Sequence, residues 1–320
     1  MVNRVYGLLG IVSKMANWNA DFTGKPKSTS DGDVYGSDKA IKYSMKKYLK
    51  GKGEKILYIK TYKIDEKAKA DEKNKLQPKE LTERYNEIFA PAIIDKNTSS
   101  KEVLKNLFSA VDVMNFGATF AVGGQNISIT GAVQIGQGFN KYEGTVTEVQ
   151  DILSPFRNSK KDNADASSLG KKIMSSEAHY IYPFSVNPKN YDEYIGIVDG
   201  FNGYAREAYD LFKESALVGA TALNTNSKSG CENEFALFIE CKDDSEIYLP
   251  NLDKYVDFIK GETMNTIDLT RLFNLLNEKI RKEIESIEIY YNPYTTEIKP
   301  QVIGNIDNVK IMNIFTKEEI

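Results

Sequence analysis

The stretch SDKAIKYSMKKYLKGKGEKILYIKTYKI, residues 37–64, decides how the fold is read. Ser37 or Asp38 is a helix cap, and Ile41, Met45, Tyr48 and Leu49 recur at helical spacing until Gly51 and Gly53 stop the helix near Lys50. Lys39, Lys42, Lys46 and Lys50 fall on a separate face of that helix. Residues 56–64 then read as a strand. Immediately upstream, residues 15–36 are dominated by Asn, Asp, Gly, Ser, Thr and Pro without period 2 or 3.6, the pattern of a long loop. Residues 5–14, VYGLLGIVSK, run apolar and small in succession as a buried strand does. The amino-terminal third is therefore strand, loop, helix, strand.

Downstream, DEKAKADEKNK is a solvated charge run, and LQPKELTERYNEIF and KEVLKNLF read as two short amphipathic helices. VDVMNFGATFAV, 111–122, and NISITGAVQIG, 126–136, are β-branched and aromatic with glycine punctuation and are expected as strands. Residues 145–177 contain the exposed-tip sequence NSKKDNADASS. A strand at 178–186, a helix at 206–218 and a strand at 234–241 follow. Without its insertions the order is strand, helix, strand, strand, helix, strand, an α+β chain on the ferredoxin-like (RRM-like) plan. A helix at 268–282 and a strand at 285–291 extend that core.

Composition sets the chemistry. The 320 residues carry 42 Lys and Arg against 45 Asp and Glu, a formal net charge of -3 that taken alone argues against a nucleic-acid partner. Charge is nonetheless uneven: residues 37–63 hold nine lysines against Asp38 and Glu54, a local +7. One histidine, His179, rules out multi-histidine metal sites and makes imidazole catalysis the least expected use of the chain. The two cysteines, Cys231 and Cys241, have no CxxC or framework spacing and fit reduced thiols. No apolar run approaches the roughly 18 residues of a membrane span, and no cofactor or metal motif is present, so a cytoplasmic protein is expected.

Several blocks, in order, resemble the crRNA-binding backbone subunits of CRISPR Cascade complexes, the seventh Cas protein family, most closely in its type I-B form. ANWNADFTGKP at 16–26 is similar to the family's Asn-rich loop after the first strand, and GSDKAIKYSMKKYL at 36–49 to the helix that follows. VDVMNFGATFAV is similar to its Asp-Val-Arg-x-Phe-Gly segment, and ITGAVQIGQGFNKYE at 129–143 to its Thr-Gly-Pro-Val-Gln-Phe segment. HYIYPFSVNP at 179–188 and LNTNSKSG at 223–230 are similar to its late strand and its Asn-Thr-Arg-Ser-Lys-x-Gly loop. The chain departs from the pattern at Tyr43, Met114 and Asn226, where basic residues are usual, and at Ala132, where proline is.

The resemblance implies one elaborated domain: a palm of about 1–64, 111–144 and 178–320, a finger insertion of about 65–110 and a thumb insertion of about 145–177. It implies a non-catalytic subunit whose copies stack head to tail along crRNA as a helical filament, supporting pairing with a target DNA strand in antiviral defence. Its partners would be further copies of itself, a fifth-family cap, a large subunit and the crRNA-processing endonuclease. A backbone that serves any guide must hold phosphate and shape and leave base reading to the RNA. The expected RNA-binding residues are Asn17, Asn19, Ser37, Lys39, Lys42, Lys46, Gln134, Asn140, Ser227 and Lys228, with Gly117, Gly136 and Gly138 permitting close backbone approach. Ile152, Leu153 and Phe156 are the expected thumb wedge between target bases.

Two other readings stay open. One is a type III-like backbone ribonuclease using Asp21, Asp31 or Asp33 in the first loop with a metal. The other is a general single-stranded RNA-binding protein.

Overall fold

The computed structural model describes residues 3–64, 75–157, 167–301, 303 and 307–320. Nine of its strands form one sheet: β1 (Val5–Ala16), β2 (Tyr35–Gly36), β3 (Val133–Ile135), β4 (Gly138–Asn140), β5 (Thr147–Arg157), β6 (Ser167–Val186), β7 (Cys231–Cys241), β8 (Ile284–Tyr291) and β9 (Val309–Asn313). Their spatial order is β9-β8-β7-β1-β6-β4-β2, and β3 and β5 also pair with β6. β1 is antiparallel to both β6 and β7.

β1 is apolar throughout because both of its faces are covered. Val5 and Leu9 join one cluster with Ile41 and Met45 of α1 (Asp38–Gly51), while Tyr6 and Leu8 join a second with Leu252, Val256 and Leu272. α1 packs beside the helix Arg206–Val218 on the first face, where Phe212 and Ala216 meet Phe184 and Phe238 of the sheet. A small sheet of Asp257–Ile259, Asn265–Asp268 and Thr296–Lys299 lies with the second cluster. The thiols of Cys231 and Cys241 are free and buried.

α1 starts and stops where its sequence predicts, with the Ser37 hydroxyl accepting the Ala40 amide. Three other expectations need correction. Residues 56–64 supply no strand of the main sheet; Tyr62–Ile64 pairs only with Leu76–Pro78. The reason is Asp112, whose buried carboxylate accepts the Leu57 and Tyr58 amides at 2.8 and 2.7 Å and so removes them from any ladder. The place beside β6 goes to β3 and β4 instead. The segment expected as a strand from 111 begins as the helix Val111–Phe116, ended by Gly117 at φ 77°, and becomes a strand only over Gly117–Phe120. Residues 268–282 form two short helices, Thr270–Leu275 and Glu278–Arg281, with Asn277 capping the second.

The expected tip sequence NSKKDNADASS, 158–168, lies outside the described residues but for Ser167 and Ser168, and its flanks within 145–177 are strand. The inner half of β6 pairs with β1, and its outer half pairs with β5 from Thr147↔Ser175 out to Arg157↔Ser167. At about 3.3 Å per residue, the hairpin reaches roughly 25 Å beyond the sheet.

Candidate nucleic-acid interface

The loop between β1 and α1 is a folded object. Trp18 is buried and its indole donates to the Tyr182 hydroxyl at 2.5 Å. The Asn17 side-chain amide donates to the carbonyls of Gly24 (3.0 Å) and Ile173 (3.1 Å), tying the loop to the root of the hairpin. The Asn19 side chain accepts the Ser37 amide at 2.8 Å, tying the loop to the start of α1. Backbone bridges Ala20↔Pro26 and Ser28↔Val34 divide it into two tight tips, Asp21–Lys25 and Thr29–Asp33. Asp31 and Asp33 are exposed at the second.

The loop at 223–230 closes against the same place. The Asn17 backbone amide donates to the Ser227 carbonyl at 2.9 Å, and the half-buried Lys228 ammonium donates to the Asn17 carbonyl. Burial holds the Lys228 ammonium below the ordinary lysine range. Asn17, Asn19, Ser37, Ser227 and Lys228, far apart in sequence, are thus gathered at one end of β1.

A second group lies along α1. Lys39 is exposed; Lys42 is half-buried, 3.1 Å from Asp38 and over the Phe116 ring at 5.4 Å. Lys46 is half-buried, donates to the Tyr58 carbonyl at 2.6 Å and is held below the ordinary lysine range by burial, with Asp112 opposing. Gln137 reaches Asp38 at 3.5 Å, and Gln134, exposed, donates to the Gly131 carbonyl. Gly131 also abuts Gly117, where an added Cβ would lie 2.5 Å from the Gly131 nitrogen. Lys42, over Phe116, thus stands next to Gly117, which abuts the Gly131 that Gln134 bonds.

The glycines of 136–138 are packed from inside. Gly138 pairs with Gly36, and an added Cβ would strike the Tyr182 ring at 2.4 Å from Gly138 and its hydroxyl at 1.8 Å from Gly36. Gly136 lies over Pro183. Asn140 spends its side chain at the hairpin base, donating to the Tyr142 carbonyl and Thr145 hydroxyl and accepting the His179 amide. Ile152 and Leu153 are exposed on the hairpin, and the Phe156 side chain lies outside the described residues.

The face of α1 that meets solvent runs through Lys39, Tyr43, Lys47 and Lys50, a rotation of the lysine pattern that charge counting alone does not reveal. Lys50 is held low first by burial and then by its cationic neighbours Arg84 and Lys47, with Glu87 opposing. Lys25 and Lys27 add exposed or partly exposed cations, Lys27 over the Tyr35 ring at 5.8 Å. Among the described residues no group of three or more His, Cys, Asp or Glu could hold a metal, and no helix is long and apolar enough to cross a membrane.

The sequence matches the family model of CRISPR-associated protein Cas7 over residues 3–285. The chain belongs to the Cas7 family. A solved chain described as part of a CRISPR RNA-guided surveillance complex is similar at 14% identity, with 92% of this chain and 91% of that one covered and a TM-score of 0.50. Another, from a surveillance complex in a pre-nicking state, is also 14% identical, covering 92% and 94% of the two chains at a TM-score of 0.47. A chain of the type III-B Cmr-beta complex bound to cognate target RNA is 9% identical over 74% of this chain and 61% of its own, at a TM-score of 0.39. No curated protein matches. At 14% identity and a TM-score of 0.50, the likeness to the first of these chains is one of fold.

Proposed function

We propose that this Cas7 chain is the non-catalytic crRNA-binding backbone subunit of a cytoplasmic type I Cascade, of the I-B kind, stacking with further copies along the guide. The observation that carries the reading is family membership across residues 3–285, on which the cationic face of α1 stands beside the folded loop. The order β7-β1-β6-β3/β4, with α1 and Arg206–Val218 packed together, supports a ferredoxin-like palm. In this reading residues 65–110 are the fingers, and the hairpin of β5 and β6 is the thumb, which presents Ile152, Leu153 and Phe156 to the target DNA strand.

The palm holds phosphates as point charges. Lys39 and Lys42 offer ammonium groups, and the 17–37 loop supplies Asn19 and Ser37 beside them; Gln134, Ser227 and Lys228 extend the same track. No base edge needs to be read. The cap, large subunit and processing endonuclease would attach to the assembled filament.

The test is equilibrium binding to single-stranded RNAs of unrelated sequence and equal length. Equal affinities that fall steeply with salt support the proposal; strong preference for one sequence, or no binding, contradicts it.

A type III-like ribonuclease is the second reading, favoured by the exposure of Asp31 and Asp33 at a loop tip. It requires divalent-metal-dependent cuts in complementary RNA that Asp31→Ala or Asp33→Ala abolishes.

A further inference from the structure

The least explained side chain on the surface is Phe22. Its relative exposure is 110%, so nothing in the fold covers the ring, yet the turn that carries it is closely held. One carboxylate oxygen of Asp21 accepts from the Thr23 amide (2.7 Å), the Thr23 hydroxyl (2.8 Å) and the Lys25 amide (3.0 Å). The Asp21 amide donates to the Lys25 carbonyl at 2.8 Å, and Gly24 takes φ 84°, which a side chain there would resist. The turn is fixed to the rest of the molecule by Asn17, whose side-chain amide spans the Gly24 and Ile173 carbonyls. The backbone that carries this bare aromatic ring is therefore held at a set position beside the hairpin root.

The surroundings indicate what the ring receives. Asp21 turns its carboxylate into the turn, while Lys25 and Lys27 follow on the same loop. A flat apolar plate beside cations fits a partner with a π face and a neighbouring negative charge, which is a nucleotide of single-stranded RNA. An apolar protein groove would match the ring but not the lysines.

We infer that Phe22 is a stacking platform for an unpaired base of the bound RNA. This rests on the RNA-binding reading above and adds to it a contact with a base face, insensitive to sequence because every base has one. Lysines hold the phosphates; Phe22 fixes where one nucleotide lies relative to the hairpin.

The test uses the full chain and single-stranded RNAs carrying 2-aminopurine at successive positions. Stacking predicts quenched 2-aminopurine fluorescence on binding, abolished in Phe22→Ala and kept in Phe22→Tyr. Phe22→Ala should bind about 5- to 100-fold more weakly with an unchanged salt slope, because the lysines still hold the phosphates. Its thermal midpoint should stay at the wild-type value, since the ring packs against nothing in the fold. Wild-type quenching and affinity in Phe22→Ala would overturn the inference while leaving RNA binding intact. So would loss of self-association in Phe22→Ala without RNA, which would place the ring between copies of the chain. A wild-type chain that binds no RNA would overturn the backbone reading itself, and the inference with it.

Discussion

The indole nitrogen of Trp18 donates to the hydroxyl of Tyr182 at 2.5 Å, both side chains buried beneath the paired glycines Gly36 and Gly138. This bond, together with that from the Asn17 side-chain amide to the Ile173 carbonyl, joins the first loop to the central strand β6. It makes the position of the loop, and of every loop residue offered to RNA, depend on how the sheet is packed.

Gly138→Ala and Gly36→Ala should each displace the pair, because the new Cβ would stand 2.4 Å or less from Tyr182. Overpacking of this kind costs about 1–3 kcal/mol. Trp18 is the chain's single tryptophan, so its fluorescence reports on this site alone. The wild-type emission should be that of a buried indole and shift red in either variant before global unfolding; an unchanged spectrum would show that the site absorbs the methyl group.

Asp112 is the polar centre of the segment that leaves the sheet. Burial raises its carboxyl above the ordinary range, while the amides of Leu57 and Tyr58 and the Lys46 ammonium oppose the shift. Asp112→Ala strands two buried donors and should cost about 3 kcal/mol in urea unfolding. Asp112→Asn, able to accept only one of the two bonds well, should lie between.

His179 gives the stability a pH dependence. It is buried between Glu234 (2.8 Å) and Glu177 (3.2 Å) and stacks on Phe258. Burial disfavours the imidazolium, yet the two carboxylates, Glu234 foremost, raise it above the usual 6.5. Its contribution is complete below pH 6.5 and fades as pH rises through the higher folded value. Denaturant midpoints should decline across that window in the wild type and lack this component in His179→Gln.

Charge reversal on α1 should separate binding from folding. Lys39→Glu with Lys47→Glu lies on the exposed face and should weaken RNA loading and reduce the salt slope by about one for each phosphate no longer held, with the thermal midpoint unchanged. Lys42→Glu with Lys46→Glu should weaken loading too, but Lys46→Glu should also destabilise the chain, because its ammonium is engaged with the Tyr58 carbonyl and lies near Asp112. Equal stability in both double variants would contradict that distinction.

What is legible in the sequence follows from what local physics controls. β1, α1 and the helix Arg206–Val218 can be read because apolar runs, caps and helical spacing are local signals. Residues 56–64 mislead because Ile56 and Leu57 are core residues, while side chains distant in sequence take up their backbone: Asp112 accepts the Leu57 amide and Arg84 donates to the Ile56 carbonyl. The lysine face is rotated from its expected place for a similar reason: Lys42 and Lys46 turn toward Phe116 and Tyr58, which no count along the helix can locate. Asn17 and Lys228 stand out as polar loop residues, but their hydrogen bond to each other is a product of the fold. Phe22 is visible in the loop as a residue; its full exposure is not.

The central claim is that this Cas7 chain coats a guide RNA. Isolating the native complex from cells and sequencing its RNA tests that most directly. The account predicts RNA of uniform length with a shared terminal sequence and variable interior, bound to several copies of this chain. Cellular RNA of random length and origin, or no RNA, would contradict it.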